Sequence, residues 1–166
     1  GRVGVEIECF PLRPHGRTWR AVDPDELRAL LDAAPSLIED AGVGFEPGGQ
    51  LELSPPPASS PAALLPRVAD LLARVEARAA SAGVRLETGG VNRWLGCDEI
   101  GLRRPTERYR TMQAHFDAIG PDGRRMMRQT ASLQVCLDLL PGASGREQWS
   151  LLNLAGPALA AAFASS

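Results

Sequence analysis

The 166-residue chain has no lysine, few cysteines and little net charge. Its 18 basic residues are all arginine, and 20 acidic residues bring the net charge to -2. This balance argues against a protein that binds nucleic acid through charge alone. The three cysteines, Cys9, Cys97 and Cys136, are far apart and form no CxxC pair. Neither a disulfide framework nor a zinc site is indicated, and a reducing, cytoplasmic location is the expectation.

Two further absences narrow the possible functions. The longest apolar run, near Ala158 to Ala164, is too short to cross a bilayer, so we expect no membrane partner. Neither GxGxxG nor GxxxxGK followed by Ser or Thr occurs, so any nucleotide would be held by another architecture. The hydrophobic fraction of 44% and the length are typical of one globular domain, which we predict to span residues 1–166.

Two acidic stretches stand out from this ordinary composition. The stretch VGVEIE, Val3 to Glu8, alternates apolar and polar residues, which predicts a strand with Glu6 and Glu8 on one face. The stretch FEPGGQLELS lies in a second predicted strand, Val43 to Leu53.

In this second strand, Gln50, Glu52 and Ser54 are expected to share one face. The pair Gly48-Gly49 permits backbone dihedrals that other residues resist, so the direction of Glu46 relative to Glu52 stays open.

A third strand with a polar face is predicted from about Met127 to Leu139. Its polar face would carry Thr130, Ser132, Gln134, Cys136 and Asp138, and its buried apolar face Ala131, Leu133, Val135 and Leu137. If the three strands are neighbours, their polar faces form one wall.

Helix start signals divide the rest of the chain. They precede predicted helices at Asp23-Pro24, at Ser60-Pro61 and at Thr106, and a final helix is expected from about Arg146, bent or ended by Pro157. Two segments read as connections: Pro11 to Ala21, and the turn Gly120 to Gly123.

The acidic wall suggests a divalent cation. Four carboxylates, Glu6, Glu8, Glu46 and Glu52, would repel one another unless a cation lay between them. Mg²⁺ prefers oxygen ligands and commonly bridges carboxylates to nucleotide phosphates, whereas zinc prefers His and Cys. The alternative is that each acidic strand is a solvated face of a sheet.

Seven arginines, at positions 103, 104, 108, 110, 124, 125 and 128, flank the third strand. Arg108 and Arg128 are the candidates for holding phosphate or carboxylate groups, and the alternative is a solvated helix face. Tyr109, Met112 and Phe116 share helical spacing and are assigned to the core. His15 and His115 have no recognisable nucleophile partner.

Taken in order, VGVEIE, FEPGGQLELS, ERYRTMQAHFDAIGPDGRRMM, TASLQVCLDL and AAFASS resemble glutamate-cysteine ligase family 2, the plant and actinobacterial type. The resemblance is to the bacterial branch that makes gamma-glutamylcysteine for ergothioneine. It covers nearly the whole chain, but family members are considerably longer. We therefore expect an N-terminal fragment, which by itself would lack ligase turnover.

The resemblance implies a fold and a reaction. The fold would be α+β and glutamine synthetase-like, with a curved antiparallel sheet, helices on its outer face, and an incomplete catalytic domain. The reaction would be ATP-dependent ligation of glutamate, through an acyl phosphate, to cysteine. Its substrates would be these small molecules, and no nucleic acid would take part.

The resemblance also implies roles for residues. Glu6, Glu8, Glu46 and Glu52 would bind Mg²⁺ or Mn²⁺, and Gln50, Arg108 and Gln134 would contact substrate or nucleotide. Arg128, a candidate from the arginine run, is added to this second set. No side-chain nucleophile is required.

One departure from the family pattern lies on the polar face of the third predicted strand. Cys136 stands where the family usually has an asparagine, so a thiol replaces an amide. Two alternatives remain open: another carboxylate-amine ligase of the same fold, or a binding relative without catalysis.

Overall fold

The computed structural model describes residues 1–163, which form an α+β structure with six strands and six α-helices. The strands are β1 (Val3–His15), β2 (Thr18–Ala21), β3 (Gly42–Phe45), β4 (Leu51–Ser54), β5 (Arg85–Glu87) and β6 (Leu133–Leu137). The α-helices are α1 (Pro24–Asp32), α2 (Pro61–Ser81), α3 (Cys97–Ile100), α4 (Glu107–Asp117), α5 (Asp122–Gln129) and α6 (Gly142–Phe163). A short 3-10 helix spans Pro35–Leu37.

Strand β1 is the centre of the antiparallel sheet. Its first half pairs with β6 on one side and with β4 on the other, and β4 in turn pairs with β3. Its second half pairs with β5 and β2. The polar strands predicted from sequence are therefore neighbours, with β1 in the middle.

Helices α1 and α2 cover one face of this sheet. Their leucines and valines pack with alternate residues of β3 and β4, and the fully buried members of this core include Leu31, Leu51, Leu53 and Val75. Burying one face by helices leaves the other face of β1 and β4 for the glutamates, as the two-residue period of a strand requires.

The predicted helix starts are confirmed. Asp23 Oδ1 accepts a hydrogen bond from the Asp25 amide, and Pro24 takes the first helical position. The Ser60 and Thr106 hydroxyls accept the amides of Ala63 and Tyr109 in the same way. Each bond satisfies an N–H group that the helix leaves without a partner.

Two predictions for the first half of the chain were wrong. Pro11 to Ala21 is not an irregular connection, because β1 continues to His15 and turns back as β2. Pro11 fits within the strand because its carbonyl oxygen still accepts a hydrogen bond, from the Val22 amide. Val43 to Leu53 is a hairpin of β3 and β4 rather than one strand, since the Gly48-Gly49 segment reverses the chain.

Two predictions for the second half were also wrong. Met127 to Gln129 belong to α5, which begins at Asp122 within the predicted turn, so β6 is shorter than expected. The apolar side chains of β6 are not buried: Leu133, Val135 and Leu137 are 66%, 62% and 49% exposed. The helices that cover β3 and β4 do not extend over β6.

The last two helices differ from the prediction in their details. Helix α4 ends at Asp117, and Ile119, two residues after its end, is 73% exposed. Helix α6 begins at Gly142, earlier than expected, and Pro157 lies within it without ending it. The motif residues at positions 164–166 lie outside the described part of the chain. Among the described residues, no helix is long and apolar enough to cross a membrane.

Candidate metal and nucleotide site

The two acidic strands place their glutamates side by side. Glu8 of β1 lies directly opposite Glu52 of β4, between the apolar pairs Ile7 with Leu53 and Cys9 with Leu51. Residues opposite each other in an antiparallel pair point to the same face, so both carboxylates lie on the face that α1 and α2 leave free. The two acidic strands are therefore neighbours, which is the condition for a shared polar face.

Glu46 follows β3 and begins the turn that leads to β4. Its amide donates to the Gln50 carbonyl, and its own carbonyl accepts from the Gly49 amide, so the backbone of the turn is fixed at both ends. Its carboxylate Oε2 accepts a hydrogen bond of 3.3 Å from the Tyr109 hydroxyl. The turn thus directs Glu46 toward helix α4.

The charges of three glutamates act on one another. Burial raises the pKa of the Glu52 carboxyl, and the nearby Glu46 and Glu8 carboxylates raise it further. Burial and the Glu46 carboxylate likewise raise the pKa of the Tyr109 hydroxyl. Negative charge is therefore costly here, and a cation would relieve it.

Ser132, which directly precedes β6, and Gln134 of β6 hold the Glu8 carboxylate from the other side. The amide and hydroxyl of Ser132 donate to the two Glu8 oxygens at 3.0 and 2.8 Å, and Gln134 Nε2 donates to Glu8 Oε1 at 3.4 Å. These bonds fix the orientation of the carboxylate. The Ser132 side chain adds a hydroxyl to the same face.

Glu6 lies on the same face, opposite Gln134. Cys136 lies opposite Gly4, so the thiol is on the polar face, as expected. A shallow cavity of about 240 Å³ has Glu6, Ser54 and Cys136 among its lining residues. Glu6 therefore faces a space beside the group formed by Glu8, Glu46 and Glu52.

The donor set suits a hard cation. The carboxylates of Glu8, Glu46 and Glu52 and the oxygens of Ser132 and Gln134 are ligands of the type that Mg²⁺ or Mn²⁺ takes, together with water. Within residues 1–163, no group of three or more His, Cys, Asp or Glu side chains is already close enough to form a finished metal site. The residues fit such an ion by the chemistry of their oxygens and by their common face.

The Cys9 thiol does not add to this donor set. It is on the opposite, helix-covered face and is fully buried, and burial raises its pKa to about 12. A thiol with such a pKa remains protonated at neutral pH and is a poor metal ligand.

Gln50 and Arg128 are placed differently from the glutamates. Gln50 is 2% exposed, and its Nε2 donates to the carbonyls of Met127 and Thr130. Arg128 is 6% exposed and donates to the Cys97 carbonyl and to Gln113. The hydrogen bonds of Gln50 and Arg128 join segments that are far apart in sequence. The roles expected for these two residues in substrate binding remain predictions.

Arg108 is exposed and directly precedes Tyr109 in the first turn of α4. Its guanidinium carbon lies 5.4 Å from the centre of the Tyr109 ring. The cation lies within the range of a cation–π contact, which restricts its position while leaving its donors available. Its expected contact with substrate or nucleotide remains a prediction.

Comparison with known proteins shows the family of this chain. The model of "Glutamate-cysteine ligase family 2 (GCS2)" matches residues 2–166. The chain belongs to glutamate-cysteine ligase family 2.

The chain is also similar to individual named proteins. It is 35% identical to "Glutamate--cysteine ligase EgtA" of Mycolicibacterium smegmatis over 175 residues, which cover the whole chain and 39% of the relative. It is also 35% identical to the protein of the same name from Mycobacterium tuberculosis, of which it covers 38%. The chain thus spans about two fifths of the length of the curated relatives that it matches.

Two residues of the candidate site were not predicted from the sequence. Ser132 was placed on the polar face but not proposed as a site residue, although its position two residues before Gln134 was a usable signal. Tyr109 was assigned to the core because its spacing with Met112 and Phe116 suits packing equally well. Only the three-dimensional position of α4 brings its hydroxyl to Glu46.

Proposed function

We propose that the protein carrying this chain ligates the side-chain carboxylate of L-glutamate to the amine of L-cysteine, using ATP and Mg²⁺ or Mn²⁺. Family membership and the relatives named as glutamate-cysteine ligases support the reaction type. The observation that carries the proposal is the pairing of Glu8 with Glu52 beside Glu46 on one open sheet face. The glutamine synthetase-like form of the complete sheet is part of this proposal.

The proposed reaction has two steps. A glutamate side-chain oxygen attacks the γ-phosphorus of ATP, the bond to the ADP oxygen breaks, and an acyl phosphate forms. The cysteine amine then attacks the acyl carbon, phosphate leaves with the bonding electron pair, and the nitrogen loses a proton to give the amide. Neither step requires a nucleophilic side chain from the protein.

The residues of this chain would bind and orient the reactants. Glu8, Glu46 and Glu52, with Glu6 beside them, would hold the divalent cations, whose role is to offset charge on the phosphoryl group. Ser132 and Gln134 orient Glu8 through the hydrogen bonds described above. Arg108 would hold a phosphate or carboxylate group, for which a guanidinium offers paired donors.

The proposal is tested with the longest natural polypeptide that carries this sequence. We expect phosphate release that depends on ATP, glutamate and cysteine together, with gamma-glutamylcysteine found by mass spectrometry. Glu52→Gln should reduce turnover at least about 100-fold, because it removes a charged metal ligand. The exposed Glu39→Gln serves as the control.

Three outcomes separate the alternatives. Turnover with another amine in place of cysteine identifies another carboxylate-amine ligase. Binding of Mg-ATP without turnover identifies a relative without catalysis. Failure to bind Mg-ATP with all four glutamates intact overturns the proposal.

The activity of the 166-residue chain alone can be compared with that of the longer polypeptide. Its acidic face is open, and water reaches half-buried Glu8, Glu46 and Glu52. Phosphoryl transfer needs a site that surrounds the transferring group and excludes water. We expect no ligase turnover from this chain alone, and substrate-dependent phosphate release from it would contradict that expectation.

A further inference from the structure

The single tyrosine of the chain lies where helix α4 meets the acidic face. Tyr109 belongs to the first turn of α4, which the Thr106 hydroxyl caps by accepting the Tyr109 amide at 3.2 Å. The cap fixes the backbone of Tyr109, and its hydroxyl then reaches Glu46 at 3.3 Å. The Tyr109 hydroxyl thus lies at the acidic face, next to a candidate metal ligand.

Tyr109 touches two groups with different expected roles. Its hydroxyl donates to Glu46, a candidate metal ligand, and its ring lies beneath the guanidinium of Arg108. The same side chain therefore connects the acidic face to the nearby arginine. Hydrogen-bond partners of metal ligands fix the orientation of those ligands, and their removal typically weakens metal binding.

We propose that Tyr109 is a positioning residue, which holds the Glu46 carboxylate toward a divalent cation and keeps Arg108 beside the acidic face. This inference rests on the proposed function, because it needs the acidic face to bind a metal. It assigns Tyr109 no proton transfer and no contact with the reacting atoms. Its effect passes through the orientation of Glu46 and of the first turn of α4.

Metal binding by Tyr109→Phe is the direct test, since this change removes the hydroxyl and keeps the ring. Calorimetric titration with Mn²⁺ should show about 10-fold weaker binding, the lower end of the effect of losing a ligand's partner. Thr111→Ala, which removes an exposed hydroxyl from the same helix, should bind Mn²⁺ as the wild type does. In the longest natural polypeptide, Tyr109→Phe should raise the KM for Mg²⁺ more than it lowers kcat.

The wild-type protein offers a second measurement, which does not depend on the folding of a variant. In the 166-residue chain, tyrosine carrying 13C at Cζ gives one NMR signal, because these residues include only one tyrosine. This signal should shift on addition of Mg²⁺ and saturate with the same affinity that calorimetry gives. Sodium chloride at the same ionic strength should leave it unchanged.

The outcomes distinguish this inference from the proposed function. If the wild type binds Mn²⁺ and Tyr109→Phe binds it equally well, the positioning role is wrong and the metal site stands. If Tyr109→Phe unfolds, the NMR titration decides, and a signal that Mg²⁺ does not shift overturns the inference. If the wild type binds neither ion, the metal site and the inference both fail.

Discussion

At the residue scale, Gln50 has a structural role in the turn between β3 and β4. Its side-chain amide joins this turn to carbonyl groups that lie about 80 residues further along the chain. Buried carbonyls that lose their donor cost free energy, because water cannot replace it. The amide thus stabilises the segment between α5 and β6 that leads to Ser132.

We predict that Gln50→Met destabilises the fold by about 1–3 kcal/mol, since the two carbonyls of Met127 and Thr130 lose a donor. Urea denaturation should show a lower midpoint with an unchanged slope. Asn153→Ala, which changes an exposed amide within α6, is the control. A stable Gln50→Met variant with impaired ATP binding would instead support the substrate-binding role.

Glu52 gives a pH-dependent prediction. Its pKa is raised in the folded state, so the folded protein binds this proton more tightly than the unfolded chain does. The free energy of unfolding therefore falls as the pH rises from the unfolded-state pKa of Glu52 through its folded-state pKa. Glu52→Gln should therefore be more stable than the wild type at pH 7, by less than about 1 kcal/mol because solvent screens a half-buried group. The gain should vanish near pH 4, about the unfolded-state pKa of glutamate.

Thermal denaturation at the two pH values, with and without Mg²⁺, checks this prediction. Mg²⁺ should raise the melting temperature of the wild type at pH 7 and leave that of Glu52→Gln nearly unchanged, since a ligand stabilises only the state that binds it. The exposed Glu39→Gln should respond as the wild type does. A pH dependence that Glu52→Gln retains in full would contradict the prediction.

At the element scale, the turn between β3 and β4 depends on a close backbone approach. A Cβ atom on Gly48 would lie 2.4 Å from the Arg128 carbonyl oxygen and 2.7 Å from its Cα. Neither of these backbone atoms can move as the end of a side chain can. The turn that carries Glu46 is thus packed directly against the end of α5.

We predict that Gly48→Ala destabilises the fold by about 2–4 kcal/mol, because the clash with the backbone of Arg128 forces the turn or α5 to move. Chemical denaturation measures the change. Gly120→Ala is the matched control, since a Cβ there meets no atom within 4 Å. Equal stability of the two variants would show that the turn adapts without cost.

Local sequence signals predicted where helices and strands lie better than they predicted which of their residues are buried. The caps Asp23, Ser60 and Thr106 were correct because a cap depends on residues within one turn. Alternation correctly predicted a strand around Val135, but burial depends on what other elements cover, which alternation does not report. The β3–β4 hairpin was not predicted, because the residues of both strands were interpreted as one strand that continues through Gly48.

The same distinction applies to the candidate site. Alternation placed Glu8 and Glu52 on polar faces, and the register of β1 with β4 brings the two together. Gln50 was expected on the polar face, but the turn buries it. The contact between Tyr109 and Glu46 spans 63 residues, and no local pattern encodes a contact over such a distance.

At the scale of the whole molecule, β6 exposes an apolar surface. Leu133, Val135 and Leu137 are exposed on one face of a strand that pairs only with β1 among the described strands. A free strand edge next to apolar side chains promotes association with other chains. This surface therefore governs how the isolated chain behaves in solution.

We predict that the isolated chain self-associates at micromolar to millimolar concentrations, and that Val135→Lys shifts it toward monomer. A lysine in the middle of the apolar face places a charge where another chain would pack. Sedimentation velocity measures the change, and Leu65→Lys, at an exposed position of α2, is the control. Identical sedimentation of Val135→Lys and the wild type would show that β6 does not mediate association.

The central position of β1 also determines when the sheet can be completed during synthesis. Arg2 bonds to Asp138, a residue 136 positions later, and the first half of β1 pairs with β6. A chain emerging from the ribosome can form the β3–β4 hairpin and pair it with β1 long before β6 is available. One edge of β1 then lacks its partner strand, and Glu8 lacks Ser132 and Gln134, until residues 132–137 have been made. Pairing over so many residues predicts slow addition of β6, and therefore late formation of the hydrogen bonds that orient Glu8.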